Sequence, residues 1–524
     1  MKKLFLYLNT IRYLKSVQIR YRIYYALRKK IRGITGYKIK EKTFNGKITK
    51  AKLIPGIVNP VSCLGNNEFE FLNKKYGFIR KINWDFDRFG KLWTYNLNYF
   101  EYLHQEKFKK EEGVNLIYNF INSFGNNNTG KEPFPTSLRI INWIKFLLQN
   151  NIEDQKIIDN LYTQTYILYD NIEYHLMGNH LLENGFSLMY AGIYFNDSKL
   201  ISKGEEILLV QLEEQILADG AHFELSPMYH QLMFYRLLDV LNLALNSKYQ
   251  NQNILDLLMQ KAGMMYSWLE NITFSNGDIP LFNDSSPDIA PPTEELLNYA
   301  KRLNVIKLTK QLDESGYRKF KSGRFELIID IGKIGPDYIP GHGHNDMFSF
   351  VLYIDNEPVI IDTGSTVYGG NPERRYLERS TALHNTVQVG DYEQAKVWGD
   401  FRVAQRSYPE VVLEEKNKLI VEYLHFSKKY KHRREFTIEE NKIELEDIIS
   451  PNLKSVANFH FDDKINFILT GNKIDFEYGT IEFTDGEAQI ANYYLSKGFN
   501  KKTMSKKALI SFETHLKTVI TITG

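Results

Sequence analysis

The sequence predicts a multidomain chain of α and β parts, with a layer of paired helices followed by an antiparallel β-domain. Three observations predict it. Between about residues 95 and 305 apolar side chains recur at i, i+3, i+4 and i+7. From about residue 316 the period shortens to alternating runs rich in Val, Ile, Tyr and Phe. The composition, 43% hydrophobic and 25% charged over 524 residues, is that of a soluble globular protein long enough for several cores. The single cysteine, Cys63, excludes an intrachain disulfide and any cluster built on several thiolates.

The first element is a basic arm. Residues 1–40 carry twelve Lys or Arg and no acid, which leaves the rest of the chain at −9 against a whole-chain charge of +3. Leu4, Phe5, Leu8, Ile11, Leu14, Ile19 and Ile23 are interrupted by Arg12, Lys15, Arg20 and Arg22, so no apolar run reaches the roughly 18 residues of a spanning helix. No secretory h-region with a small-residue cleavage site is visible. Two uses fit this arm: an amphipathic helix on an anionic lipid surface, or a solvated basic helix packed on an acidic body. The expected location is therefore the cytoplasm or the inner membrane face, with the cell envelope as the alternative. A nucleic-acid partner is not expected, because the body is acidic and no binding motif follows.

Helical periodicity covers residues 138–148, 161–174, 181–194, 205–217, 228–245 and 254–269, joined by short breaks such as Asn126 to Gly130, Asn196-Asp197 and Pro291-Pro292. Helices in succession without strands between them form an all-α layer, in an incomplete ring or a solenoid. Strands are expected at 324–331, 348–354, 418–425, 434–438, 442–448 and 516–522, with no helices among them and with Glu440-Asn441 turning a hairpin. The division is 1–40 (arm), 41–315 (helical domain) and 316–524 (β-domain), with the linker between 311 and 321.

Chemistry-bearing residues concentrate in four blocks. Asn179, His180 and Glu183 open a helix and face one groove. Residues 219–230, DGAHFELSPMYH, form a polar loop holding Glu224 that enters a helix behind Ser226 and Pro227 and carries Tyr229; capping alone would account for part of that polarity. Arg236, seven residues beyond Tyr229, shares its helical face and can hold a carboxylate. In the β half, His342 and His344 at i and i+2 on an extended segment point the same way, and Asp362 and His384 sit at strand ends. A His, Asp, His set suits zinc with an open fourth position, and only one histidine of the pair need take part.

Several blocks in order resemble the heparinase II/III family of polysaccharide lyases, related to oligoalginate lyases: KLWTYNLNYFEYL, FPTSLRIINW, GNHLLENG, DGAHFELSPMYH, GHGHNDMFSF, VIIDTGSTVY and RSTALHNTVQVG. The resemblance implies an incomplete (α/α) toroid followed by an antiparallel β-sandwich, with an acidic polysaccharide bound in the cleft between them. It further implies that Asn179 or His180 faces a uronate carboxylate, that Tyr229 and His342 are catalytic, and that His344, Asp362 and His384 hold one structural divalent metal, zinc. Architectures of this kind occur beside capsule and exopolysaccharide assembly machinery.

The implied reaction is β-elimination on a uronate-containing glycan. The proton on C5 is poorly acidic while the neighbouring carboxylate is charged, so that carboxylate must be neutralised; an amide and an imidazole can do this. A base then takes the proton and an acid reaches the glycosidic oxygen, with Tyr229 and His342 able to divide these roles either way. Three alternatives compete. A non-catalytic polysaccharide-binding or tailoring protein of an assembly complex needs the cleft alone. A glycoside hydrolase would need two opposed carboxylates, which Glu183 and Glu224 could supply. A metal-dependent amidohydrolase places its HxH on the first strand of a βα barrel, whereas here it comes late.

Overall fold

The structure is a computed structural model that describes residues 2–523. The helical half is built on Pro133–Gln149, Gln155–Asp170, Gly178–Phe195, Ser198–Gln215, Pro227–Leu245 and Gln252–Ile272. Their starts follow capping chemistry. Asp154 and Asp197 each accept two backbone N–H bonds from the first turn of their helices, and Ser226 does so for Tyr229 with Pro227 at the first helical position. The capping expected of the Ser226 block is therefore real, and it fixes Tyr229 in the first turn. The helix expected at 161–174 instead runs Gln155–Asp170, because Asp154 sets its start and the chain turns at Asn171.

Gly178–Phe195 is the central helix, buried along its whole length except at His180. It lies tightly against Ser198–Gln215 because glycines remove the side chains between them. A Cβ on Gly204 would stand 2.5 Å from the backbone nitrogen of Met189, and one on Gly192 would stand 2.6 Å from that of Ile201. A three-stranded sheet, Cys63–Gly65, Glu68–Phe71 and Lys74–Gly77, precedes these helices. Its strands are too short for periodicity to reveal in advance.

All strand pairings of the second half are antiparallel. An eight-stranded sheet runs in the order Pro409–Glu415, Lys418–Leu424, Lys431–Glu439, Lys442–Ser450, His515–Ile522, Gly479–Thr484, Lys473–Phe476, Phe467–Thr470. Glu439 pairs with Lys442, so Glu440-Asn441 is the two-residue hairpin loop that was expected. Two four-stranded sheets face it. One contains Phe325–Asp330 and Phe350–Ile354, the other Val387–Val389 and Ser455–His460, and the bridge Ile360 to Phe461 joins them. One core lies between the layers, from Leu327 and Phe350 through Phe436 and Leu445 to Phe459 and Ile510. The β half is not free of helices, however: Pro372–Glu378 interrupts it and carries side chains into the cleft region.

The arm forms two helices, Lys2–Ile11 and Ser16–Thr35. The second packs on the helical half through its polar side. Gln18 donates to the Leu176 carbonyl at 3.0 Å, Arg22 to that of His175 at 3.2 Å, and Arg28 and Arg32 pair with Asp170. The first meets the β-hairpin Ala395–Trp398 and Arg402–Arg406: Trp398 donates to Thr10 at 3.0 Å, and the Arg406 guanidinium lies 3.9 Å from the Tyr13 ring centre. The arm thus spans both halves. Its amphipathic sense is inverted, because the outward face of Ser16–Thr35 is Ile19, Ile23, Leu27, Ile31 and Ile34, all exposed.

Replacing Gly204 with Ala should lower the unfolding midpoint, since overpacking against backbone costs about 1–3 kcal/mol and exceeds the gain in helix propensity. Gly33→Ala, where no atom lies within 4 Å of the new methyl, should be neutral or stabilising. Denaturant titration of both variants checks the contrast.

Candidate active site

A cleft of about 2330 Å³ runs between the two halves, and Asn179, His180, Glu183, Glu224, Tyr229, Arg236, His342 and Asp362 all line it. The arm closes part of its rim through Tyr7, Leu14, Gln18 and Arg22.

The organising group is Asp284, which lies in the connection between helices Gln252–Ile272 and Thr293–Arg302. One carboxylate oxygen accepts from His342 Nδ1 at 2.9 Å and the other from His344 Nε2 at 2.9 Å. Arg375, on the helix Pro372–Glu378, grips both oxygens, with its Nη2 at 2.6 Å. Burial opposes a charge on Asp284, but Arg375 and the two imidazoles outweigh it and hold the carboxyl well below the usual carboxylate range. The flanking backbone is tied as well. Asp284 N–H donates to the His342 carbonyl at 3.0 Å, the Asp284 carbonyl accepts from Ser226 Oγ at 2.8 Å, and Asn283 Oδ1 accepts from His344 N–H at 2.8 Å. The segment therefore bolts the helix carrying Tyr229 to the loop carrying the histidines. That loop is turned rather than extended, so His342 and His344 converge through a shared carboxylate instead of strand alternation. Gly343 between them is obligatory, since a Cβ there would stand 1.8 Å from the Ile334 carbonyl oxygen.

With Nδ1 donating to an ionised carboxylate, His342 presents Nε2 to the cleft, 3.3 Å from Glu224 Oε2. The Tyr229 ring stacks on His342 with centres 3.9 Å apart, and its hydroxyl donates to Tyr368 at 2.8 Å. Burial, with Tyr368 adjacent, pushes the Tyr229 phenol well above its ordinary value, so it stands protonated. Glu224 is itself raised by burial and accepts from Asn179, from the backbone N–H at 2.9 Å and from Nδ2 at 3.2 Å. His180, the one partly exposed residue of its helix, bonds Glu173 through Nδ1 at 3.1 Å and lies tilted against Phe134, ring centres 4.5 Å apart. Burial disfavours its charge, but Glu173 more than compensates and raises its pKa.

Arg236 is mostly committed to the chain's own carboxylates, although its buried Nη1 has no hydrogen-bond partner. It pairs with Glu101, with Glu183 at 3.4 Å and with Asp239 at 3.8 Å. Burial pushes Glu183 up to about 7 even beside this arginine, and one of its oxygens has no partner. Glu183 and Arg236 thus form the floor of the cleft.

Behind His342, the rings of His344 and His384 face each other at 5.3 Å. His384 Nδ1 bonds Asp362 Oδ2 at 2.7 Å, which leaves buried His384 Nε2 and His344 Nδ1 without partners. Asp330 and Asp346 add buried carboxyls; burial raises both, helped by Asp346 beside Asp330 and by Asp362 beside Asp346, which is pushed up to about 6. Among the described residues no group of three His, Cys, Asp or Glu side chains is arranged to hold a metal ion. Asp362 is engaged by His384, as a carboxylate that orients a ligating imidazole would be. Two unpartnered imidazole nitrogens beside surplus carboxylate are nevertheless the donor chemistry that zinc takes.

Three site residues escape the sequence reading. Asp284 and Arg375 lie outside any motif, and Tyr368 ends the VIIDTGSTVY block without standing out in it.

Two family models match: Heparinase II/III N-terminus over residues 135–305 and Heparinase II/III-like, C-terminal over residues 307–523. A heparin-sulfate lyase of Bacteroides stercoris is 28% identical over 249 residues, covering 42% of this chain and 36% of that protein. One from Bacteroides thetaiotaomicron is 25% identical, covering 46% and 41% respectively. The match therefore spans less than half the length of these curated relatives. Among solved structures, a heparinase III superposes with a TM-score of 0.68 at 17% identity, covering 84% of this chain and 80% of that one. The heparan sulfate lyase HepC from Pedobacter heparinus superposes at 0.56 with 14% identity, covering 88% and 82%. The fold is accordingly an incomplete α/α toroid joined to an antiparallel β-sandwich, and with both family models filling the chain from residue 135 to residue 523, the chain belongs to the heparinase II/III family.

Proposed function

We propose that this protein is a polysaccharide lyase that cleaves a uronate-containing acidic glycan by β-elimination. The observation that carries this reading is the stack of Tyr229 on His342 in the cleft, with Asp284 fixing the imidazole tautomer. His342 Nε2 takes the proton from C5. The C4–O4 bond breaks as the C4–C5 double bond forms, and the Tyr229 hydroxyl delivers a proton to the departing O4. Tyr229 suits the acid role because burial keeps it protonated. His180, its positive form favoured by Glu173, and the Asn179 amide stabilise the charge that develops on the uronate carboxylate. The names of the relatives, heparin-sulfate lyases, support the same reaction class. A glycoside hydrolase is less well supported, since Glu224 is engaged by Asn179 and His342 and Glu183 by Arg236.

Uronate polymers incubated with the protein should yield absorbance from a 4,5-unsaturated sugar end, and Tyr229→Phe should reduce its rate by about 10²- to 10⁴-fold with the fold retained. Reducing ends without that chromophore would favour hydrolysis. Binding without any product would favour a polysaccharide-binding role in capsule or exopolysaccharide assembly.

The second part of the proposal is one divalent metal, zinc, held by His344 and His384 with Asp362 beside them. Bound there it would act as structural charge, neutralising the buried carboxylates and bracing the β side of the cleft. Elemental analysis should find about one zinc per chain. His344→Ala should lower metal content and thermal stability together, whereas His342→Ala should spare both and remove activity.

The third part concerns the arm. Its apolar outer ridge, in an arm with twelve basic residues, suits the anionic face of a bilayer, and binding there would bring the cleft rim near a membrane surface. Among the described residues no helix is long and apolar enough to cross one. The full chain should co-sediment with anionic vesicles but not neutral ones, with salt weakening the binding; Ile23→Glu combined with Leu27→Glu should abolish it. Equal partition of wild type and variant would remove the membrane role.

A further inference from the structure

A cleft that grips sulfate or phosphate groups needs cations free to meet them, because each such group is a dense, strongly hydrated charge that only charge-assisted bonds can strip of water. This cleft has the opposite balance. Twelve Asp or Glu side chains line it against seven Lys or Arg. Each of the seven already has a partner within the chain. Arg236 is held by Glu101, Glu183 and Asp239, Arg406 by Asp337, Lys91 by Glu132, and Lys497 by Asp463. Arg22 donates to the His175 carbonyl, Arg402 stacks at 4.8 Å over Trp398, and Lys464 reaches Glu357 at 4.0 Å. Around the reacting groups the two remaining arginines are also spent, Arg375 on Asp284 and Arg379 on the Gly343 carbonyl.

The carboxylates are less fully engaged. Glu70, Asp288, Glu295 and Asp400 line the cleft and have no ion-pair partner among the described residues, so they present net negative charge to whatever enters. A chain with one carboxylate per disaccharide meets this field once per repeat, where His180 is placed to receive it. A sulfated chain would meet it several times per repeat, with only Arg22 and Arg402, neither of which has a carboxylate partner, in compensation. What the cleft offers instead is flat apolar surface: Phe134 beside His180, then Tyr368, Phe401 and Trp398 along the β side. Such faces stack on sugar rings without regard to charge.

We infer that the glycan taken by this cleft is sparsely charged: a uronate polysaccharide without sulfate or phosphate substituents. This rests on the lyase reading for the placement of the uronate, but the selectivity itself is a property of binding and is testable apart from turnover. The probes are matched pairs that differ in sulfation alone, heparosan against chemically sulfated heparosan and unsulfated chondroitin against chondroitin sulfate. Affinity is measured by calorimetry on the inactive Tyr229→Phe variant, and product chromophore on the wild type. The unsulfated member of at least one pair should bind ten-fold or more tightly than its sulfated partner. The Asp288→Asn, Asp400→Asn double variant should narrow that gap by improving affinity for the sulfated member several-fold more than for the unsulfated one. Selective binding without chromophore would remove the lyase reading and keep the inference. Equal or tighter binding of the sulfated member, or no difference within either pair, would overturn the inference, and chromophore from sulfated heparosan or chondroitin sulfate would do so while upholding the lyase reading.

Discussion

The arrangement of the site depends on one carboxylate of the helical half, Asp284, accepting hydrogen bonds from groups supplied by the β half. Its two oxygens take His342, His344 and both terminal nitrogens of Arg375, and its backbone ties Ser226 to His342. A carboxylate buried this completely is tolerable only because its lone pairs are filled and a guanidinium neutralises it. That requirement runs both ways. The charge on Asp284 needs the β-domain histidines in place, and the histidines take their orientation from a residue of the helical half. The geometry of the site and the docking of the two halves are therefore the same interaction, and the cleft keeps its width because neither side can shift without stranding a buried charge.

The consequences spread outward in order of distance. Fixing His342 by Nδ1 turns Nε2 toward Glu224 and sets the plane on which Tyr229 stacks. Tyr229 can meet that plane because Ser226 caps its helix one turn earlier and the same serine bonds Asp284. Fixing His344 by Nε2 leaves Nδ1 without a partner in a ring that lies beside His384, whose own orientation comes from Asp362. One acid thus separates the two histidines of the HxH into an outward member that lines the cleft and an inward member beside His384. Arg379, one turn after Arg375, holds the Gly343 carbonyl between them and prevents the loop from rotating.

Much of this was legible in the sequence. Helical periodicity, the Ser226-Pro227 start and the hairpin at Glu440-Asn441 act over a few residues, so local spacing reveals them. His342, Tyr229 and His180 announced themselves as reactive types in dense polar blocks. Asp284 did not, because its partners are 58 and 91 residues away in the chain, and a short Asn-Asp-Ser-Ser connection reads as a loop until tertiary contact gives it a purpose. Arg375 was hidden for a related reason: its seven-residue helix is too short for periodicity and lies among strands. Arg236 was placed correctly on the face of Tyr229, but the sequence could not show that Glu101, on a separate 3-10 turn, would occupy it.

The same accounting explains why the cleft is acidic although the chain is basic overall. The positive charge of the chain is concentrated in the arm, where Arg22, Arg28 and Arg32 are engaged by Asp170 and by carbonyls of the body. Arginines in the interior serve as clamps on buried carboxylates and carbonyls, since an unpaired charge of either sign would be costly there. Net charge is therefore a poor guide to what the cleft binds; the relevant quantity is the number of cations left without a partner at its surface. In this protein they have been used to build the walls. What the cleft surface keeps is ring faces, amide and imidazole donors, and His180, polarised by Glu173 on the helical side.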